Sequence, residues 1–315
     1  MILPKRLSRY FLGAAVASVL SIACSSGLRD YTQVELKVAI PTAQAAEGSE
    51  KITADTLAEV QTVIEARLAQ LSFGTAEVKA QAPDQLMVRL PQEIINVQPV
   101  VARLIKPGQL TLRSQKPDTE DDLATSIEAL QRLLIEQDTR LQTSQQAEAS
   151  ALQPQIDETR AAILDLFEPS ELTGDRITTA QAVEVSGFNT WEVRIWLDAE
   201  GTEQFAAQTK ALAGTGRALG IFLDDVLLSM PTVDVTYAAT GITDGEATIA
   251  GNFTAEAAED LEFQLKSGAL PAKVEVVRIT SSDEPESNEP ESDEPESNEP
   301  ESNEPELNEP KAAEQ

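Results

Sequence analysis

Hydrophobic and polar residues alternate over 32–40 (Thr-Gln-Val-Glu-Leu-Lys-Val-Ala-Ile), the two-residue period of a half-buried strand. The period then changes. Leu57, Val60, Ile64, Leu68 and Leu71 recur at steps of three and four, which predicts a helix with Thr53 as its N-cap. Residues 76–81 and 85–90 read as two short strands joined by Pro83-Asp84. Pro99 opens a short helix through Ile105, stopped by Pro107-Gly108, and Leu110 to Arg113 is a further strand. The order β-α-β-β-α-β is the ferredoxin-like pattern.

Residues 119–168 have a helical period throughout. Leu123, Ile127, Leu130, Leu134 and Leu141 form one seam; Pro154 starts a second helix with Ile156, Ile163 and Phe167 as its seam. A polar Ser-Gln-Gln-Ala-Glu-Ala-Ser stretch separates them, so the segment predicts a helical hairpin. The charges around Glu120-Asp121-Asp122 suit a solvated first turn.

Residues 171–250 form a second α/β unit. Trp191, Val193, Ile195 and Leu197 share one face of a strand, a helix runs from about Ala199 to Leu212, and Gly214 and Gly216 end it. Ala218 to Leu223 and Val226 to Ser229 predict a hairpin at Asp224-Asp225, a poorer tight-turn pair than Asp-Gly. Gly214 to Arg217 is Gly-rich like a phosphate loop, but it ends a helix instead of starting one and lacks the Gly-Lys-Ser/Thr ending. In 251–276, Thr254 is an N-cap and Glu256 lies in the first turn. Ala258, Leu261 and Leu265 form one face, Gly268 takes the left-handed C-terminal position, and Pro271 bars continuation before a strand with Val274 and Val276.

Composition narrows the chemistry. The 315 residues carry a formal charge of -29, and the last stretch, Ser281 to Gln315, holds fourteen acids and one Lys. Neither the acidic body nor this segment suits a phosphate backbone, so nucleic acid is not an expected partner. The absence of histidine removes Ser-His-Asp and Cys-His catalysis and His-containing zinc sites. No cofactor is expected. From Ser282 the pentad Ser-Asp/Asn-Glu-Pro-Glu repeats five times, a composition that excludes a packed core and predicts a disordered acidic tail over 281–315.

The N-terminus carries Lys5, Arg6 and Arg9, then an apolar run from Phe11 to Ala23, shorter than the ~20 residues of a membrane span. This is the pattern of an export signal over 1–24. Its end, Leu20-Ser21-Ile22-Ala23-Cys24, is similar to a lipoprotein signal, which makes Cys24 the candidate lipidation site. The alternatives are an uncleaved anchor and ordinary cleavage nearby. In each case the chain is exported, to the periplasmic or thylakoid-lumen side of a membrane.

Gly251-Asn-Phe-Thr254, Asp260-Leu261 and Gly268-Ala-Leu-Pro-Ala272 followed by Val274-Glu-Val-Val277 resemble the end of the large extracytoplasmic domain of SecD, a subunit of the bacterial Sec protein-export machinery. Further segments resemble the family in order: Ile52 to Leu68, Glu171 to Gly174, Trp191 to Ile195, Leu212 to Asp225 and Ser229 to Asp234. The helices at 119–168 resemble an insertion of cyanobacterial SecD. The resemblance covers about residues 31–279. It implies an α+β fold: a ferredoxin-like base (31–118 and 251–280), a helical hairpin insertion (119–168) and an inserted α/β head subdomain (169–250) that swings about a hinge. The expected hinge residues lie at Ser114, Pro117, Glu168, Leu172, Ala250 and Asn252. Phe222, Leu227, Leu228 and Met230 are expected to offer a surface to peptide, against the plainer alternative that they are core.

Two departures bear on function. Gly27-Leu28-Arg29-Asp30-Tyr31-Thr32 lacks the paired glycines of the family's Asp-Leu-x-Gly-Gly motif, and the acidic repeats stand where SecD continues into membrane helices with its proton-coupling machinery. The expectation is a non-enzymatic, membrane-tethered accessory module of protein export, with SecD, SecF, the Sec translocon and unfolded preprotein as partners. The alternatives are a repurposed envelope lipoprotein that keeps the fold, and an enzyme using paired carboxylates, for which no residues group into a site.

Overall fold

The computed structural model describes residues 31–39, 52–73, 75–92, 94, 96–170 and 172–281. The segment read as an export signal with Cys24, Glu171 and the acidic repeats from Ser282 lie outside the described residues.

Strand β1 (Tyr31–Ala39) buries Thr32, Val34, Leu36 and Val38 on one face, as its alternation predicts. Helix α1 (Ala54–Gln70) covers that face with Leu57, Val60, Ile64 and Leu68; the Thr53 hydroxyl accepts from Thr56 N at 3.1 Å and caps it. Strands β2 (Glu77–Ala82) and β3 (Gln85–Pro91) follow, then helix α2 (Val97–Leu104). Val78, Leu86, Val88, Leu90, Val101 and Leu104 complete this core.

The fourth strand of this sheet comes from the far end of the chain. Strand β11 (Lys273–Ser281) pairs antiparallel with β1, in the order β11-β1-β3-β2. The sequence pattern gave the closing place to 110–113 instead. That strand, β4 (Leu110–Ser114), leaves for a second sheet. The reason lies in its burial: Leu110, Thr111 and Leu112 are all buried, which requires cover on both faces. An edge next to β1 offers cover on one face only, and β11 meets that demand by burying Val274 opposite Val38.

The second sheet runs β5-β4-β8-β9, with β5 (Leu172–Thr173), β8 (Leu219–Leu223) and β9 (Val226–Ser229). A third runs β10-β7-β6, with β6 (Ile177–Glu184), β7 (Trp191–Leu197) and β10 (Glu246–Phe253). Both are antiparallel. Helix α6 (Ala199–Leu212) is capped by Asp198, whose carboxylate accepts from Gly201 N at 2.7 Å. Helix α7 (Ala255–Ser267) is capped by Thr254. Leu110, Leu112, Val193, Ile195, Phe205, Ile221, Ile249, Leu261 and Leu265 join these sheets and helices in one core. Helix α7, the return helix, therefore packs its apolar face on these sheets, and only the residues after it (Leu270, Ala272, Val274) enter the first core.

Between β4 and β5 stand α3 (Glu120–Gln142), a short α4 (Gln146–Ala151) and α5 (Gln153–Asp165). The polar stretch expected to be a loop is mostly the extra helix. The seam holds near the sheets, where Leu123, Ile163 and Phe167 pack with Ala218 and Phe222; farther out, Leu134 and Leu141 are exposed. Phe167 lies edge-on to Phe222, with ring centroids 5.0 Å apart, and crosses directly over Gly220. A Cβ at Gly220 would stand 2.5 Å from the Phe167 ring.

Gly220 is thus the point where the helical insertion seats on the sheet. The variant G220A is expected to cost about 2 kcal/mol by overpacking, measured by urea unfolding. Amides of α3 and α5 should exchange faster with solvent while those of β1 and β3 do not.

Candidate functional site

Helix α1 carries a charge in its apolar stripe. Arg67 stands three residues after Ile64 and is fully buried. No carboxylate pairs with it. Its guanidinium donates instead to backbone carbonyls: from Nη1 to Leu104 O at 2.7 Å and Lys106 O at 2.5 Å, and from Nη2 to Pro107 O at 3.4 Å and Gly268 O at 3.0 Å. Nε donates to the Ser267 hydroxyl at 3.2 Å. An unpaired buried ion is costly, and a ring of carbonyl dipoles around the planar fork offsets that cost. Burial lowers the Arg67 pKa to about 10, with the nearby Asp224 charge opposing the shift, so the group stays charged at neutral pH.

These carbonyls belong to the two places where the chain crosses between the first sheet and the others. The outward crossing follows α2 and reaches β4 through Lys106-Pro107-Gly108-Gln109. The return crossing follows α7 and reaches β11 through Gly268 to Ala272. They also hold each other, Leu270 N donating to Pro107 O at 2.8 Å. Gly108 has φ +75° and Gly268 φ +84°, so each crossing turns on a left-handed residue that favours glycine.

The other side of the outward crossing meets the β8–β9 turn. Asp224 accepts from Gly108 N at 3.1 Å and Gln109 N at 2.8 Å, and its own N–H donates to Gln109 O at 2.9 Å. The turn has φ +50° at Asp224 and +62° at Asp225, the positive pair of a two-residue hairpin. The two Asp side chains occupy those positions because one caps the crossing and the other pairs with Arg113 at 3.3 Å. On the surface, Asp260 of α7 pairs with Arg103 at 2.9 Å and Lys106 at 3.4 Å, and Arg103 lies over the Phe263 ring. These exposed pairs contribute little beside the buried Arg67 contacts.

The residues predicted as a hinge fall in two other places. Ser114 ends β4, accepts from Glu168 N at 2.9 Å, and lies beside the bridge between Gln115 and Phe167. Lys116 N donates to Leu166 O at 2.9 Å, and Pro117 follows. Leu172 pairs with Leu112. Ser114, Pro117, Glu168 and Leu172 therefore surround the neck of the helical insertion, two segments joined by a single bridge and backbone hydrogen bonds. Ala250 pairs with Glu192 inside β10, and Asn252 occupies the irregular step between Ala250 and Phe253.

Of the predicted peptide-contact residues, Phe222 is fully buried and belongs to the core under the insertion. Leu227 and Leu228 are half-buried, on opposite sides of β9, and Met230 is exposed. Arg67, Gly108, Asp224 and Gly268 were not singled out from the sequence as site residues. The available signal was a charge at a core step of α1, together with Pro107-Gly108 and Gly268 as matching turn marks. Among the described residues, no three acids are grouped to hold a metal ion, and no helix is long and apolar enough to cross a membrane.

Residues 144–272 match the family model described as SecDF, P1 head subdomain. The protein translocase subunit SecD of Synechocystis is 39% identical over 233 residues, covering 72% of this chain and 49% of that protein. SecD of Prochlorococcus marinus is 31% identical over 285 residues, covering 80% of this chain and 56% of that protein. The chain thus spans about half the length of these curated relatives. A solved structure described as a membrane component SecDF that enhances protein export shares the fold, with a TM-score of 0.56 at 21% identity, covering 79% of this chain and 99% of that one. The family match ends at Ala272, at the end of the return crossing, and includes α7 with the β10-β7-β6 sheet on which it packs.

Replacing Arg67 with Met leaves buried carbonyls without donors, at about 1–3 kcal/mol each when unrelieved. The expected loss for R67M is about 3 kcal/mol in urea unfolding, with a smaller loss for R67K, whose ammonium keeps the charge but not the planar fork.

Proposed function

This chain belongs to the SecD family through the domain described above, and we propose that it serves as an extracytoplasmic, non-catalytic accessory module of Sec-dependent protein export. The observation that carries the reading is the identity of 39% to a SecD over 72% of the chain, joined to the head-subdomain match. The proposed partners are SecD, SecF and the Sec translocon, with unfolded preprotein as the passing substrate. Attachment to a membrane through a lipid on Cys24 is part of the same proposal.

The base of this module is proposed as ferredoxin-like. The sheet order β11-β1-β3-β2 supports that reading, with α1 and α2 packed in its core and everything from β4 to α7 inserted before the closing strand β11. The inserted part is the proposed head. Movement of the head relative to the base is assigned to the paired crossings, since Gly108 and Gly268 sit at element ends and hinges absorb backbone rotation there. Ser114, Pro117, Glu168 and Leu172 are proposed to govern a separate movement, that of the helical insertion at its neck. Ala250 and Asn252 are proposed as the bend of β10. The proposed peptide surface is Leu227, Leu228 and Met230, with Phe222 as the rigid floor beneath Leu227.

Site-specific photocrosslinking in living cells tests this reading. A photoreactive residue in place of Met230 is expected to trap exported polypeptides in transit and Sec components, while one in place of Ile135 at the outer part of α3 traps fewer. No Sec component or exported chain caught from any head position, together with normal export in a deletion strain, would overturn it.

A further inference from the structure

Strand β10 has β7 on one side and no strand on the other. Leu197 N donates to Gly245 O at 2.8 Å, so these two residues form a hydrogen-bonded pair. Such pairs alternate along an antiparallel ladder, and the register carries them on to Ala247 with Ile195 and Ile249 with Val193. The N–H and C=O groups of Glu246, Thr248 and Ala250 therefore point away from β7. Asp244 accepts from Glu246 N at 3.2 Å. Among the described residues, no hydrogen bond reaches the backbone of Thr248. The other long edges are guarded against further pairing. Glu77 and Lys79 stand on β2; Lys273, Glu275, Arg278 and a register shift mark β11. On β6, Ala182 N donates to the Glu262 carboxylate at 2.8 Å. From Ala247 to Ala250, β10 reads Ala-Thr-Ile-Ala, with no charge and no proline.

This edge borders a cavity of about 290 Å³, which Glu246, Ala247 and Thr248 all line. Successive residues of a strand point to opposite faces, so three in a row meet one cavity through the strand's edge. No residue of β7 lines it, so the edge concerned is the free one. The floor is apolar and firmly held: Phe205, Leu219, Ile221 and Val233 are core residues, and Ile242 packs against them. Ala247 is half-buried against the same core, and its short side chain leaves the space beside it open. The acids of the lining, Asp234 and Glu246, meet no Lys or Arg there.

We infer that β10 accepts an extended polypeptide segment as an added strand, its backbone pairing with Thr248 and one apolar side chain entering the cavity beside Ala247. An extended chain answers both features at once, since it carries a matching row of N–H and C=O groups and a side chain for the floor. A small apolar molecule would fill the space and leave the backbone groups unanswered. Residues on either side of the anchoring side chain fall on the face of Glu246, which favours Lys or Arg there. The assignment rests on strand geometry and not on the export role, so either can fail without the other.

Titration of the isotope-labelled full chain with a blocked Ser-Thr-Lys-Phe-Lys-Thr-Ser peptide, followed by NMR, tests it. Binding should shift the Thr248 amide and slow its exchange with solvent. T248P removes the outward N–H at a position where an edge strand tolerates proline, and should weaken binding at least tenfold with an unchanged melting temperature. T248A keeps the N–H and should bind like the parent. A247F fills the cavity and should weaken binding at least tenfold. Two further peptides, one methylated on both Lys backbone nitrogens and one on the Phe backbone nitrogen, leave the protein untouched. One of them should lose at least tenfold and the other little, according to the direction of the added strand. The assignment fails if the parent peptide does not bind, if T248P and A247F bind as well as the parent, if T248A loses as much as T248P, or if both methylated peptides bind undiminished. It fails too if concentrating the chain alone reproduces the Thr248 shift, since a second copy then holds the edge.

Discussion

One guanidinium holds the two halves of this fold in register. Arg67 is buried with no carboxylate in ion-pair contact, and it is anchored by the carbonyls of Leu104, Lys106, Pro107 and Gly268. Those groups lie on the two crossings between the first sheet and the other two, which Asp224, the ion pairs of Asp260 and the packing of α7 against α1 also hold. A hydrophobic residue in its place would take this donor from the Leu104, Lys106 and Gly268 carbonyls, where α2 ends and the two crossings run. A lysine supplies charge without the fork. The requirement is therefore for arginine, and it follows from where the crossings lie.

Around that pin the molecule divides its labour. Asp224 takes the N–H groups of Gly108 and Gln109 while Arg67 takes the carbonyls just before them, so the outward crossing is gripped on both sides. The return crossing has one grip, from Arg67 and Pro107. At the other end of β4, Phe167 and Gly220 seat the helical insertion. Strand β4 thus connects two junctions, one at Gly108 and one at Ser114, through five residues paired with β8.

Much of this was legible in the pattern of side chains. The alternation of β1 and β7, the Thr53 and Thr254 caps, the stripe of α1 and the stop at Gly268 all emerge where local periodicity and capping chemistry place them. What the pattern does not carry is pairing over distance. Leu110 to Ser114 and Lys273 to Ser281 both read as short strands, and nothing local says which one closes the sheet beside β1. The Asp224-Asp225 turn looked poor because its stabilisation comes from Gly108 and Gln109, far back in the sequence. Phe222 looked available because the side chain that covers it, Phe167, arrives from the insertion. Arg67 was visible as a charge at a core step, yet its meaning depends on two loops separated from it by 37 and 201 residues.

The central claim is that one side chain fixes both crossings together. Hydrogen exchange of the full chain, followed at Gly108, Gln109 and Leu270 in the parent and in R67M under conditions where both remain folded, measures it most directly. Protection should fall at all three amides in concert while β1 and β3 keep theirs. Loss confined to one crossing, or no loss at either, would contradict the account.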